Sequence, residues 1–339
     1  MDKQQLQQQF VNRVIGHNAE TMDTLKPIKP AGNGLAPVNI ALSKYWGKRD
    51  MTLNLPMNGS VSISLPGLGT QTTIKIASQQ RDLVSLNSEV LTDDNPFTKR
   101  LSVFLNHFRT PNTYFEISTV NTVPTAAGLA SSASGYAALV LALDDLFGWQ
   151  LKPQQLSLLA RLGSGSASRS LFSGFAIWHK GQQEDGLDSY AEAIEIQWPE
   201  FCVGLVKVNI GQKSISSTTG MQNTVETCDL YKAWPAQAEK DMQQVLQAIE
   251  NRDFELLGRT AEHNALSMHA TMMATWPPIV YWQPESLAAM HKVWQLRNEG
   301  IKVYFTMDAG PNLKLLFPET EKPAIEQAFP ELSIIKPFN

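Results

Sequence analysis

The 339-residue sequence predicts an α+β fold in two lobes, and three observations carry that prediction. Short strand patterns crowd the first half, helical periodicity dominates the second, and the two never settle into the regular strand–helix alternation of a parallel sheet. At about 100–200 residues per domain, the length fits two lobes with a sizeable core. A composition of 43% hydrophobic and 18% charged residues is that of an ordinary folded chain and excludes global disorder.

Taken in order, residues 1–35 read as an N-terminal extension outside the catalytic core, a short helix over 4–15 followed by the Pro/Gly/Asn linker KPIKPAGNG. From Val38 come the strands VNIAL, SVSISL, TTIKIA, LVSLN and YFEIS, separated by turn residues, with a helix over 96–108. A Pro/Ser/Gly loop then opens a helix over 131–146, in which Tyr136, Leu139, Val140 and Leu143 recur at helical spacing. A helix over 153–162 and the strand GFAIW complete an N-terminal lobe of residues 36–195. A break in pattern over 182–188 and a strand over 201–208 mark a C-terminal lobe of residues 196–339. That lobe continues as a loop, helices over 236–249, 254–273 and 286–297, and the strand KVYFTM running into DAGPN.

Charge and cysteine content exclude several functions. A net charge of −4 provides no overall positive field for a nucleic acid, so an anionic partner must be met by a local basic cluster. Cys202 and Cys228 form neither a CxxC pair nor a disulfide framework, which fits a reducing cytoplasm and argues against a thiolate metal site. The Gln-rich start lacks the apolar run of an export signal. The longest uncharged stretch, Ile117 to Leu143, is long enough to cross a bilayer, but Pro124, Gly128, Gly135 and eight Ser, Thr or Asn residues would leave backbone groups unpaired in lipid. It reads instead as a polar loop leading into a buried helix. His17, His107, His179, His263, His269 and His291 include no HExxH and read as structural. No HRD, DFG or GxSxG element is present, which removes protein kinases and α/β-hydrolases.

Four segments carry candidate chemistry. PTAAGLASSASGYAALVLAL places a Gly/Ala/Ser loop before an apolar helix, where free N–H groups and the helix dipole favour a phosphate. No lysine follows Gly128, so this is not a Walker loop, and a close-packed helix start is an equal alternative. GSGSASRS follows a helix and lacks the dinucleotide spacing. It offers Ser164, Ser166 and Ser168 as donors, and Arg169 stands alone in the uncharged run from Leu162 to Trp178, fit to grip a carboxylate or phosphate. KYWGKRD gathers Lys44, Lys48 and Arg49 around Tyr45 and Trp46, either a diphosphate site or a solvated strand end. Asp308 ends an apolar strand, where it either caps a turn or serves as a general base or hydroxyl orienter.

Together APVNIALSKYWGKRD, PTAAGLASSASGYAALVLAL, GSGSASRSLFSGF and YFTMDAGPN resemble the mevalonate diphosphate decarboxylase family, within the galactokinase, homoserine kinase, mevalonate kinase and phosphomevalonate kinase superfamily. LPMNGSVSISL, SSTTGM, SMHAT and WPPIVYW keep the same order, so the resemblance covers about residues 36–318. It implies a two-lobed small-molecule kinase-like fold with the active site in a cleft between the lobes. The implied reaction is ATP-dependent decarboxylation of mevalonate 5-diphosphate to isopentenyl diphosphate through phosphorylation of the 3-hydroxyl, with Mg²⁺ bridging the nucleotide phosphates, in a cytoplasmic homodimer. By that likeness Gly128, Leu129, Ala130, Ser131 and Ser132 wrap the ATP phosphates. Tyr45, Trp46, Gly47, Lys48 and Thr218 hold the substrate diphosphate. Ser164, Gly165, Ser166, Ala167, Ser168 and Arg169 hold the mevalonate part, with Arg169 on the carboxylate. Asp308 faces the 3-hydroxyl, supported by Lys44 and Asn39.

The first 35 residues have no counterpart in that pattern. Gly59 stands where the family usually has Ser and Ser134 where it usually has Ala, both beside nucleotide-loop positions. Two other functions compete: a decarboxylase or 3-kinase acting on mevalonate or its 5-phosphate, since small pocket changes redirect substrate choice, and a catalytically silent sensor on the same fold.

Overall fold

The computed structural model describes residues 2–17, 22–122, 131–208 and 215–338. The chain opens with α1 (Lys3–Ile15), started by a capping box in which the Asp2 carboxylate accepts from the Gln5 amide at 2.8 Å. Its apolar face of Phe10, Val11, Val14 and Ile15 is buried in the same core as Leu53, Phe108 and Leu159. Gln155 donates to the Val14 carbonyl at 2.9 Å, and the buried Arg161 guanidinium lies 5.1 Å over the Phe10 ring. The helix expected to lie outside the core is therefore packed into it, because its apolar stripe needs a partner and the first lobe provides one.

Next come β1 (Gly32–Ser43), the short hairpin β2 (Lys48–Asp50) and β3 (Leu55–Pro56), and the long strand β4 (Ser60–Ile76). They are followed by β5 (Leu83–Leu86), β6 (Glu89–Leu91), α2 (Pro96–Leu105) and β7 (Phe115–Asn121). Helices α3 (Ser131–Phe147) and α4 (Pro153–Gly163), a 3₁₀ turn over Gly165–Arg169, and strands β8 (Phe175–Trp178) and β9 (Ala191–Ile194) finish this lobe. Its sheet runs β6-β5-β7-β4-β8-β9, with β1 paired to β4. The sequence reads SVSISL and TTIKIA as separate strands, yet β4 is continuous. PGLG is absorbed as a bulge, for β1 pairs Pro37 with Gly69 and then Val38 with Leu65. The glycines that signal a turn here let one strand bend without breaking.

The second lobe comprises β10 (Phe201–Val206), α5 (Ser217–Thr227), α6 (Trp234–Asn251), α7 (Phe254–Met273), α8 (Pro284–Asn298), β11 (Tyr304–Met307), β12 (Leu313–Pro318), α9 (Lys322–Ala328) and β13 (Ser333–Ile335). Its antiparallel sheet has the order β11-β12-β10-β13. The α5 region reads as loop in sequence because SSTTGM is rich in hydroxyls. Ser216 spends its hydroxyl as the N-cap, accepting from the Thr219 amide, and so starts a helix.

One apolar cluster joins the lobes. Val38, Ile40 and Leu42 of β1 and Val61, Ile63 and Leu65 of β4 pack with Phe201 and Val203 of β10, Val245 of α6 and Leu257 of α7. That shared core fixes the end of β1 against the end of β11, where the polar residues of the cleft gather.

On the other side of β1, α3 lies so close that a Cβ on Gly34 would sit 2.0 Å from the Ala138 carbonyl oxygen, a backbone atom that cannot swing aside. Gly34→Ala should therefore lower stability by roughly 1–3 kcal/mol or more, as overpacking does. Thermal unfolding would show this as a reduced midpoint.

Candidate active site

A cleft of about 740 Å³ opens where the two lobes meet. The end of β1 and the turn after it give Asn39, Lys44, Tyr45 and Trp46, and the β2–β3 hairpin gives Lys48 and Asn54. Ser132 and Tyr136 come from α3, Ser164, Gly165, Ser166 and Arg169 from the end of α4 and the 3₁₀ turn, Thr218 from α5, and Asp308 from the turn after β11.

At its centre one carboxylate is gripped by two lysines. Lys44 Nζ donates to Asp308 Oδ1 at 2.9 Å and to the Ala41 carbonyl at 2.8 Å, while Lys314 Nζ lies 3.2 Å from Asp308 Oδ2. Both lysine side chains are buried, whereas 27% of the Asp308 side chain still faces the cleft. Burial alone would raise the Asp308 carboxyl, but the charges and hydrogen bonds of Lys44 and Lys314 overcome it and hold the group well below the usual carboxylate range. Burial pushes Lys44 down to about 8, with Asp308 opposing part of that fall. His269 Nε2 donates to the Asp308 carbonyl at 3.1 Å, and burial lowers the ring to about 4, so it is neutral at physiological pH.

The backbone around Lys44 is held as firmly. Its amide donates to Asn264 Oδ1 at 2.7 Å, Asn264 donates to the buried Asp241 at 2.8 Å, and Asn58 donates to the Lys44 carbonyl at 2.7 Å.

Arg169 is 2% exposed, donates to the Ser60 hydroxyl, and leaves its Nε without a partner among the described residues. Burial lowers it to about 10, which keeps it cationic at neutral pH. The Tyr45 hydroxyl is also buried without a partner, its ring set edge-on to Trp178 at 4.8 Å. Unpaired buried donors of this kind are costly and mark a place for a ligand acceptor. Lys48 donates to Asn54 at 2.6 Å, and burial followed by repulsion from Lys3 lowers it to about 8. Asn39 donates to the Ser170 hydroxyl at 2.7 Å and the Ser166 carbonyl at 3.2 Å, which ties β1 to the 3₁₀ turn.

Several expected residues stand elsewhere. Ser168 is buried and donates to the Gly165 carbonyl at 2.7 Å, and neither it nor Ala167 lines the cleft. Arg49 reaches away, donating to the carbonyls of Lys180 and Gln183. Gly47 shapes the turn: its φ of +100° and a Cβ position 1.7 Å from the Tyr231 hydroxyl admit no side chain. Gly128, Leu129 and Ala130 lie outside the described residues, as does the side chain of Ser131, whose backbone begins α3. The Ser134 hydroxyl faces Thr70 at 2.7 Å inside the protein, not the cleft. A Cβ on Gly59 would meet the Met242 sulfur at 2.7 Å, so the missing serine makes room for α6.

Two contributors are absent from the expected set. Lys314 interrupts the apolar strand LKLLF six residues after Asp308, a visible signal once the two strands are known to pair as neighbours. An apolar chamber lined by Phe97, Leu101, Ile117, Tyr136 and Leu139 extends the cleft between α2 and α3, with Thr119 and Asn121 as polar contacts.

Comparison with known proteins identifies the family. Residues 36–191 match the family model of the diphosphomevalonate decarboxylase-like N-terminal domain, and residues 203–335 that of the mevalonate 5-diphosphate decarboxylase C-terminal domain. The diphosphomevalonate decarboxylase of Danio rerio is 41% identical over 298 residues, covering 82% of this chain and 73% of that protein. Its counterpart in Saccharomyces cerevisiae is 39% identical over 303 residues, covering 83% and 76%. Among solved structures, the mevalonate diphosphate decarboxylase from Enterococcus faecalis matches with a TM-score of 0.83 at 41% identity, covering 90% of this chain and 95% of that one. The Staphylococcus aureus enzyme matches with a TM-score of 0.84 at 37% identity, covering 91% and 95%. A structure described as MDDEF in complex with MVAPP, AMPPCP and magnesium matches at 0.83 and 40%, covering 90% and 95%. With both halves matched in register and the likeness extending over most of the chain, the protein belongs to the mevalonate 5-diphosphate decarboxylase family.

Proposed function

We propose that this protein converts mevalonate 5-diphosphate and ATP to isopentenyl diphosphate, phosphate, ADP and carbon dioxide. The observation that carries the proposal is Asp308, held by Lys44 and the buried Lys314, in the same cleft as a buried Arg169 whose Nε has no partner among the described residues. That cleft has a single acidic side chain, Asp308, against Lys3, Lys44, Lys48, Arg100 and Arg169 among its described lining residues, as an anionic substrate requires.

In this account the lobe of residues 36–195 binds the nucleotide, with the apolar chamber taking its base and residues 128–132 its phosphates. Tyr45, Trp46, Lys48 and Thr218 hold the substrate diphosphate, while Gly47 forms the turn that presents them. Ser164, Gly165 and Ser166 hold the mevalonate chain, and Arg169 grips its carboxylate. Asp308 orients the 3-hydroxyl for in-line attack on the γ-phosphorus, and Lys44 neutralises the charge that gathers on the transferred oxygens. A tertiary hydroxide leaves poorly, so its conversion to phosphate comes first. As that phosphate departs, the electrons of the carboxylate bond quench the positive charge at C3 and release carbon dioxide.

The donor set fits Mg²⁺ brought in on the nucleotide. Among the described residues no group of three or more His, Cys, Asp and Glu is placed to hold a metal, and both Asp308 oxygens already face lysines. Ser132, which lines the cleft in the first turn of α3, would offer a hydroxyl to the ion. When bound, the ion supplies charge neutralisation on the β- and γ-phosphates.

We further propose that the enzyme works in the cytoplasm as a homodimer. Two free, buried cysteines support the first point, and no helix among the described residues is long and apolar enough to cross a membrane. Family likeness supports the second.

Purified protein given ATP, Mg²⁺ and, separately, mevalonate, its 5-phosphate and its 5-diphosphate should release ADP and carbon dioxide in equal amounts only with the diphosphate. ADP without carbon dioxide would remove decarboxylation. Asp308→Asn should retain nucleotide binding, measured by calorimetry, while turnover falls by about a hundredfold or more, as expected for an orienting group at the reacting atom. In the wild type, kcat/KM should decline as pH rises through about 8, because Lys44 and Lys48 then lose the charges that meet the substrate. Since Asp308 raises Lys44, the residual activity of Asp308→Asn should begin that decline at lower pH.

A further inference from the structure

The N-terminal helix α1 stands outside both family-matched spans, which begin at residue 36, yet it reaches the cleft. Lys3, in its first turn, lines the cleft together with Lys48 and Asn54 of the β2–β3 hairpin. The contact is built, not incidental. Gln7 donates to the Thr52 carbonyl in that hairpin at 2.7 Å, and the buried face of Phe10, Val11, Val14 and Ile15 fixes the helix against the lobe. Lys3 is close enough for its charge to depress Lys48.

Neither lysine has an ion pair among the described residues, and the Lys48 ammonium has the neutral Asn54 oxygen. A cation at the first position of a helix opposes the helix dipole, and the Asp2 carboxylate at the N-cap is already engaged by the Gln5 amide. Two repelling cations in a cleft that also carries the buried Tyr45 hydroxyl, unpartnered among the described residues, await an anion with more than one charge.

We propose that Lys3 is a further binding residue for the substrate's diphosphate, so that α1 completes with Lys48 a clamp that the family-matched core alone does not have. This rests on the substrate assignment above, deepening it at one end of the same site. The diphosphate is favoured over the nucleotide phosphates because α1 is bonded to the hairpin that carries Lys48, while the nucleotide loop leads into α3 on another wall.

The test uses the full chain with Lys3→Gln and Lys3→Arg. Losing one exposed charge contact should raise KM for mevalonate 5-diphosphate about three- to tenfold in Lys3→Gln, with kcat and KM for ATP unchanged, and Lys3→Arg should restore it. Calorimetric titration with inorganic pyrophosphate should show the same weakening without any turnover. A rise in KM for ATP alone would assign Lys3 to the nucleotide and overturn the proposal. So would equal pyrophosphate affinity in wild type and Lys3→Gln, or pyrophosphate binding by neither. If the wild type fails to turn over the diphosphate while Lys3→Gln still weakens pyrophosphate, the substrate assignment falls and the clamp stands. Removing a cation from the positive end of α1 should not lower the unfolding midpoint, and a large drop with no selective change in KM would mean that Lys3 is structural only.

Discussion

The constraint on which the rest of the molecule depends is a carboxylate fixed between two buried ammonium groups. Lys44 is 1% exposed and Lys314 is 2% exposed, so neither charge can be left without Asp308. Breaking such a pair by removing one partner costs about 3–5 kcal/mol, because the remaining charge stays in low dielectric. Lys44 follows β1, Asp308 follows β11 and Lys314 stands on β12, so the cluster forms only when the two lobes are in register. The apolar cluster of β1, β4, β10, α6 and α7 holds that register. Packing and chemistry are therefore coupled: the shared core provides the dry wall that makes the ion pairs strong, and the ion pairs require that wall to be rigid.

Two cations on one anion leave the cluster with positive charge to spare, and Arg169 and Lys48 add more along the same cleft. Burial depresses all three below their ordinary values, Lys44 and Lys48 to about 8 and Arg169 to about 10, which expresses how poorly the protein interior solvates them. An anionic ligand relieves this strain on binding. In the proposed reading, remote diphosphate contacts provide binding energy that positions the reacting end against Asp308 and Arg169.

Much of this was legible in the sequence, and what was not has physical reasons. Lone charges in apolar surroundings, Arg169 and Asp308, could be singled out because burial without a partner is costly, and both line the cleft. The helix over 254–273 follows its periodicity to the residue. Lys314 escaped because its role depends on the pairing of Thr306 with Lys314, a long-range register that no local pattern encodes. The continuity of β4 escaped because PGLG is a turn by local chemistry and a bulge only once β1 lies beside it. α1 was recognisable as a helix, but its weakly apolar, Gln-rich sequence gave no sign that four residues would find a core or that Lys3 would reach the cleft.

The position of Asp308 also separates two roles that the sequence leaves joined. An effective general base has a proton affinity matched to the working pH, and a carboxylate held far below its usual range between two lysines has little. Its free lone pairs can still accept a hydrogen bond from the 3-hydroxyl and aim the oxygen at the phosphorus. In a loose phosphoryl transfer the attacking oxygen carries little new bond at the transition state, so alignment matters more than early deprotonation. Lys44, lowered to about 8, sits at the same point with a proton that moves near neutral pH. On the reading proposed above, orientation belongs to Asp308 and charge neutralisation with proton traffic to Lys44, a division that burying one acid between two lysines favours.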